Sequence, residues 1–187
     1  MVDASSERIA ITENGIIVDT NDQLGRMLGY DPNEMLGRTA LEMAAPDSRE
    51  KVMEAHRLHI QEPYEHFALH KDGTTFPVEV RGRNVPIGGR ELRFTTIRDI
   101  RESKRIRMLL EEERNLMRTL IDNLPDLIFI KDAEGRYLLN NRSHILSFGA
   151  ECQDEVLGKT TYDLNPEELA SQYTKDDKSV MQIGKAL

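Results

Sequence analysis

Glu13-Asn14-Gly15-Ile16-Ile17-Val18-Asp19-Thr20-Asn21 returns later in the chain as Ala133-Glu134-Gly135-Arg136-Tyr137-Leu138-Leu139-Asn140-Asn141. A second block behaves the same way. Glu34-Met35-Leu36-Gly37-Arg38-Thr39 is echoed by Glu155-Val156-Leu157-Gly158-Lys159-Thr160. The offset is 120 residues in the first block and 121 in the second, and Gly29 corresponds to Gly149. Two matched blocks in one order read as two copies of one domain, and a period this long indicates tandem domains, not a solenoid.

Outward from the first block, Arg8–Thr12 and Ile16–Thr20 are β-rich runs around Glu13-Asn14-Gly15, a hairpin signal. Asn21–Leu28 reads as a short helix stopped by Gly29. Asp47 is placed to cap a helix from Ser48 to about Ile60, with Pro63 beyond its end. Tyr64–His70, Phe76–Val85 and Glu91–Ile100 then read as strands joined by Lys71-Asp72-Gly73 and Gly88-Gly89. The order β-β-helices-β-β-β predicts an α+β domain with a five-stranded antiparallel sheet and helices on one face. Strand alternation puts Phe76, Val78 and Val80 on one face. Phe67 with Leu69, and Phe94 with Thr96, are expected to join them against helices bearing Met27, Leu28 and Met53. Asn21 and His56 are the expected polar groups of that pocket.

The residues from Gly15 to Asn21, Leu28-Gly29-Tyr30, Glu34-Met35-Leu36-Gly37-Arg38 and His70-Lys71-Asp72-Gly73-Thr74-Thr75-Phe76-Pro77-Val78-Glu79-Val80 together resemble the PAS family. The exit Ile97-Arg98-Asp99-Ile100-Arg101-Glu102 is similar to the family's Asp-Ile-Thr sequence leading into a signalling helix, with Arg101 in place of Thr. The resemblance covers residues 7–102 fully and roughly 122–187 in part. The expected organisation is a complete PAS domain over 1–102, a helical signalling linker over 103–122, and the N-terminal part of a second PAS domain over 123–187. In that second copy the last three strands are missing, as at the front of a longer protein. Asp99, Ile100 and Arg101 are the expected points of signal transmission.

Ser103 to Asp122 lacks Gly and Pro and is rich in good helix formers. Ile106, Leu110, Glu113, Met117 and Leu120 fall at alternating spacings of four and three, a heptad seam interrupted by Glu113. That seam predicts a homodimer contact, with packing of the helix on its own sheet as the alternative.

The formal net charge is −8, which argues against a nucleic-acid partner. A single cysteine, Cys152, rules out an intrachain disulfide and fits a reducing compartment. The acidic, polar N-terminus is unlike a signal peptide, and no apolar run approaches the roughly 20 residues of a membrane span, so a cytoplasmic location without membrane contact is expected. No catalytic motif stands out, and no enzymatic activity is assigned to this stretch. No cofactor is expected either. Haem PAS domains use a histidine on the long helix, but His56 and His59 miss the aligned position, where Arg49 and Glu50 fall. Photoactive flavin PAS domains need a cysteine that the first copy lacks. The resemblance implies a sensory module that couples ligand or partner binding to the linker and to an output such as a histidine kinase. A haem or flavin (FAD) sensor and a ligand-free interaction module are the alternatives.

Overall fold

The computed structural model describes residues 7–183. The chain divides into two compact units between Arg107 and Met108.

In the first unit, β1 (Arg8–Glu13) and β2 (Ile16–Thr20) form a hairpin. Gly15 takes a φ of 80° in its turn, which glycine adopts without penalty. Helix α1 (Asp22–Leu28) ends at Gly29, whose φ is 78°. Helix α2 (Pro32–Met35) opens on a capping box between Asp31 and Glu34. Helix α3 (Arg49–Arg57) buries Val52 and Ala55. Strands β3 (Tyr64–Leu69), β4 (Thr75–Ile87) and β5 (Arg90–Asp99) complete an antiparallel sheet of order β2-β1-β5-β4-β3. Ile17, Leu24, Leu28, Met35, Phe76, Val78 and Val80 share the apolar core between sheet and helices.

Helix α4 runs without interruption from Arg101 to Asp122, about 33 Å at 1.5 Å per residue. The second unit contains β6 (Phe129–Lys131) and β7 (Tyr137–Asn140), paired antiparallel, and helices α5 (Arg142–Ser147), α6 (Thr161–Leu164) and α7 (Glu167–Ile183). Its core gathers Tyr137, Ile145, Ala150 and Val156.

The sequence repeat is also a repeat of hydrogen bonds. The Asn21 Oδ1 accepts from the backbone N–H of Leu24 and of Ile9, at 3.2 and 3.1 Å. The Asn141 Oδ1 accepts from His144 and Ile128, at 3.1 and 3.0 Å. Each asparagine therefore caps a helix and ties the first strand segment to it. The glycine blocks match too. Ile17 donates to the Arg38 carbonyl while Gly37 donates back to Ile17; Tyr137 and Lys159, then Gly158 and Tyr137, do the same.

Candidate ligand-binding site

The inner face of the sheet is fixed by strand register. Tyr64 lies opposite Val80, His66 opposite Val78 and Ala68 opposite Phe76. On the other side of β4, Val80 faces Ile97, Gly82 faces Thr95 and Asn84 faces Arg93. With Val78 and Val80 inside, this pairing brings Tyr64, His66, Ala68, Arg93, Thr95 and Ile97 inside as well.

A small interior space of about 60 Å³ lies between this face and the helices. Leu28, His56, Val78 and Val80 line it, as does the unforeseen group of Tyr64, His66, Thr95 and Ile97. The other expected lining residues lie elsewhere. Phe67 and Leu69 sit on the outer face, opposite Pro77 and Thr75, and Phe67 is half exposed. Phe94 and Thr96 are also on the outer face, opposite Arg83 and Arg81. Met53 is exposed, since α3 turns Val52 and Ala55 inward, and it lines an open cleft beside this space instead. Met27 packs against the core edge and borders a separate hollow with Asp99 and Arg101. Asn21 is buried as a helix cap, not as a pocket wall. The error in β3 and β5 has one cause. Their inner faces carry polar and titratable residues, so ranking faces by hydrophobicity selects the wrong one.

An open cleft of about 410 Å³ adjoins the interior and shares Thr12, Ala40 and His56 with it. Arg93 forms its floor and is 5% exposed. One terminal nitrogen donates to Asn84 Oδ1 at 2.8 Å, the other to the Ile60 carbonyl at 2.6 Å. Its Nε–H has no partner, and neither do the hydroxyls of Thr12 and Thr95. Asn84 in turn donates to Glu91 at 2.8 Å and contacts the His59 ring nitrogen. Gly82 makes room for this arrangement, since a Cβ there would overlap the Arg93 guanidinium.

Burial favours the neutral form of His56 and His66. Burial pushes His56 down, and the Arg93 and His59 charges push it the same way. Burial, with a smaller contribution from Lys51, brings His66 to about 4. Burial also raises the Tyr64 hydroxyl, against the opposing pull of Arg93.

At the domain exit, the Asp99 carboxylate accepts from the Arg101 backbone N–H at 3.0 Å and is forked by its guanidinium, with one bond at 2.6 Å. Burial alone would raise the Asp99 carboxyl, but the Arg101 hydrogen bonds and charge outweigh it and hold it low. Asp99 thus satisfies the first backbone N–H of α4. The same guanidinium lies 4.4 Å over the ring of Phe76, a buried core residue on β4. Ile100 is buried and donates to the Pro77 carbonyl at 3.2 Å. Lys104 pairs with Glu65 of β3 at 2.5 Å. The start of α4 is thereby fastened to two strands whose inner faces line the interior. Farther along α4, Ile106, Leu110, Glu113, Met117 and Leu120 are all exposed, and none of the described residues covers the apolar stripe.

Residues 6–102, more than half of the chain, match the PAS domain family, and residues 115–179 match the PAS fold family. The chain belongs to the PAS family. Over 68 residues it is 43% identical to the virulence sensor protein BvgS of Bordetella pertussis, a match spanning 36% of this chain and 5% of that protein. Among solved structures, it is similar to the PAS domain of an HTR-like protein from Haloarcula marismortui, with 27% identity and a TM-score of 0.46, over 52% of this chain and 84% of that one. An RNA-binding light-oxygen-voltage receptor superposes with a TM-score of 0.51 at 20% identity, over 60% of this chain and 35% of that one. Two PAS domains and a segment shared with a sensor protein make this a sensory module of signal transduction.

The interior space of the first domain is small. About 60 Å³ holds neither a porphyrin nor an isoalloxazine ring, as ligand pockets for drug-sized molecules run from about 300 to 1,000 Å³. Cys152 is exposed in the second unit and lies 3.5 Å from Glu155, with no place in the first PAS interior. No group of three or more His, Cys, Asp or Glu side chains is set to hold a metal among the described residues. No described helix is long and apolar enough to cross a membrane.

Proposed function

We propose that this PAS pair couples an event in the pocket of the first domain to α4 and, through a dimer of α4, to an output such as a histidine kinase. The observation that carries the reading is the junction at Asp99 and Arg101. Arg101 grips the helix cap and lies on Phe76, a core residue of β4, the strand whose Val78 and Val80 wall the interior. A ligand that displaces β4 therefore acts on the first turn of α4 through one side chain. For a ligand to shift such an equilibrium it must bind the two states with different affinity, and a wall shared with the junction supplies the difference.

The stripe on α4 supports the dimer. Ile106, Leu110, Met117 and Leu120 are each more than half exposed in the single chain. Burying a side chain of that size is worth about 1.5–3 kcal/mol, so four of them favour a partner helix strongly. The wild-type chain should sediment as a dimer at high micromolar concentration. L110E/L120E should sediment as a monomer while the first domain keeps its unfolding midpoint. A wild-type chain that remains monomeric at that concentration would overturn the dimer. The reading gives the chain no catalytic step of its own, a cytoplasmic setting, and as partners a second copy, a small ligand and a downstream domain.

A further inference from the structure

Arg93 is a buried cation without a counter-ion. It is 5% exposed, and its hydrogen bonds go to an amide oxygen and a backbone carbonyl, both uncharged. Among the described residues no carboxylate lies within ion-pair distance of it. Glu91, also on the cleft wall, is engaged by Asn84 instead, with its side chain largely in solvent. A buried charge without a partner is expensive, so a fold that keeps one and spends a glycine at position 82 to seat it requires an explanation. The unused Nε–H and the unused Thr12 hydroxyl sit on residues paired across β1 and β5, both in the wall of the cleft. Two unpartnered donors on cross-strand neighbours, one of them on a positive charge, match a carboxylate, which accepts through two oxygens. Past Thr12 and His56 the cleft meets the interior space, whose walls are mainly aliphatic.

We propose that the first PAS domain binds a small organic acid with a short apolar tail, its carboxylate on Arg93 and Thr12 and its tail directed past His56 toward Val78 and Val80. This inference rests on the reading of the first domain as ligand-binding, and it names the class of ligand. With His56 and His66 kept neutral by burial, Arg93 is the buried charge of the site, and the Glu91 carboxylate stands at the exposed edge of the cleft. Arg57 on the cleft wall adds to the positive field.

The test titrates the full chain with hexanoate, 1-hexanol, hexylamine and acetate, reading heat and thermal midpoint. Hexanoate should bind at least about tenfold more tightly than hexanol, the factor expected for hydrogen bonds to a charged group, and hexylamine should not bind. Acetate should be weaker than hexanoate, since it lacks the tail. In the wild-type chain the Arg93 Nε–H resonance should shift on saturation with hexanoate. R93Q should reduce hexanoate binding to the level of hexanol. Should R93Q not fold, the acid–alcohol contrast and the Nε–H resonance in the wild type decide the matter. Equal binding of acid and alcohol would overturn the anion assignment while leaving a ligand pocket in place. No binding by hexanoate, or binding that leaves the Arg93 resonance unmoved, would overturn the proposal outright. None of these outcomes bears on the L110E/L120E experiment, so failure of the acid and failure of the dimer are read separately.

Discussion

The two copies share their frame and differ in what the frame encloses. Asn21 and Asn141 make the same helix cap and strand tie, and the Gly37 and Gly158 loops return the same pair of backbone bonds. Inside, the positions diverge. Where the first copy buries Leu24, the second buries His144, at the same offset of 120. Around Leu24 the core is mainly aliphatic, with Phe76 as its one buried aromatic ring. Around His144 it is aromatic, with Phe129 stacked at 4.6 Å, Phe148 edge-on at 4.7 Å and Tyr137 at 5.4 Å. His144 Nδ1 bonds Asn140 Oδ1 at 2.7 Å, and both side chains are buried. The difference teaches that the repeated motif is a backbone device. Its asparagines and glycines satisfy main-chain groups that any filling would leave unpaired, so they recur while the filling does not.

Exchanging the fillings should break the comparison most visibly. Leu24→His places a polar ring where nothing is set to bond it, and should destabilise the first copy by about 2–5 kcal/mol. His144→Leu removes the one side-chain bond of Asn140 and the ring contacts but keeps an apolar filling, and should destabilise the second copy by about 1–2 kcal/mol. Hydrogen exchange resolved at the Ile17 and Tyr137 amides in urea would report each copy separately. Equal losses in the two swaps would mean that the interiors are interchangeable and that the contrast drawn here is cosmetic.

Acidification should sharpen the comparison. His66 titrates near 4 in the folded chain against about 6.5 for an ordinary histidine, because burial disfavours its charged form. Above pH 6.5 both states are neutral and nothing changes. Between about 6.5 and 4 the unfolded chain takes up a proton that the folded chain refuses, so stability falls with pH, by up to about 3 kcal/mol. His56 adds a loss of the same sign in the first copy, and His144, also lowered by burial, does so in the second. Urea midpoints at pH 7.5 and 4.5 should therefore fall in both copies. His66→Leu should flatten the first alone. A first copy whose slope survives that change would show that other groups set it.

The smallest effect concerns Gly29 and Gly149, which end the first helix of each copy in the left-handed region, at φ of 78° and 73°. A Cβ at Gly149 would meet open space, whereas one at Gly29 would run into the His70 ring. Gly149→Ala should cost about 1 kcal/mol through backbone strain alone, and Gly29→Ala about 1 kcal/mol more. Equal thermal shifts for the two variants would mean that His70 moves aside freely.

Much of this was readable from residues alone. The repeat, the strand order and the uninterrupted linker helix follow from glycine spacing and helix-forming composition, because main-chain requirements leave few choices at those positions. The pocket lining was only partly readable. Val78, Val80, Leu28 and His56 were found where apolar alternation or helix placement is unambiguous. Phe67, Leu69, Phe94 and Thr96 were misplaced because the inner faces of β3 and β5 carry Tyr64, His66, Arg93 and Thr95. A signal for the correct register was nevertheless present. A two-residue Gly88-Gly89 turn pairs Ile87 with Arg90, and counting outward brings Val80 opposite Ile97, not opposite Thr96. The same count puts Arg93 opposite Asn84 on the inner face, although its residue type points the other way, since an arginine in a strand ordinarily points to solvent.

One feature of α4 sets a condition on its length. The helix passes from Arg101 to Asp122 with no proline, glycine or break to absorb a twist. Each residue turns the helix by about 100°, so the number of residues between the Asp99 cap and any point on the stripe is a phase. Inserting a single residue at its middle would swing everything beyond by about 100° and tear the stripe in two, whereas seven inserted residues would return it to within about 20° of its original bearing. Relatives that keep this junction should therefore differ in linker length by whole heptads, and chains spliced at other intervals should hold the two ends out of step.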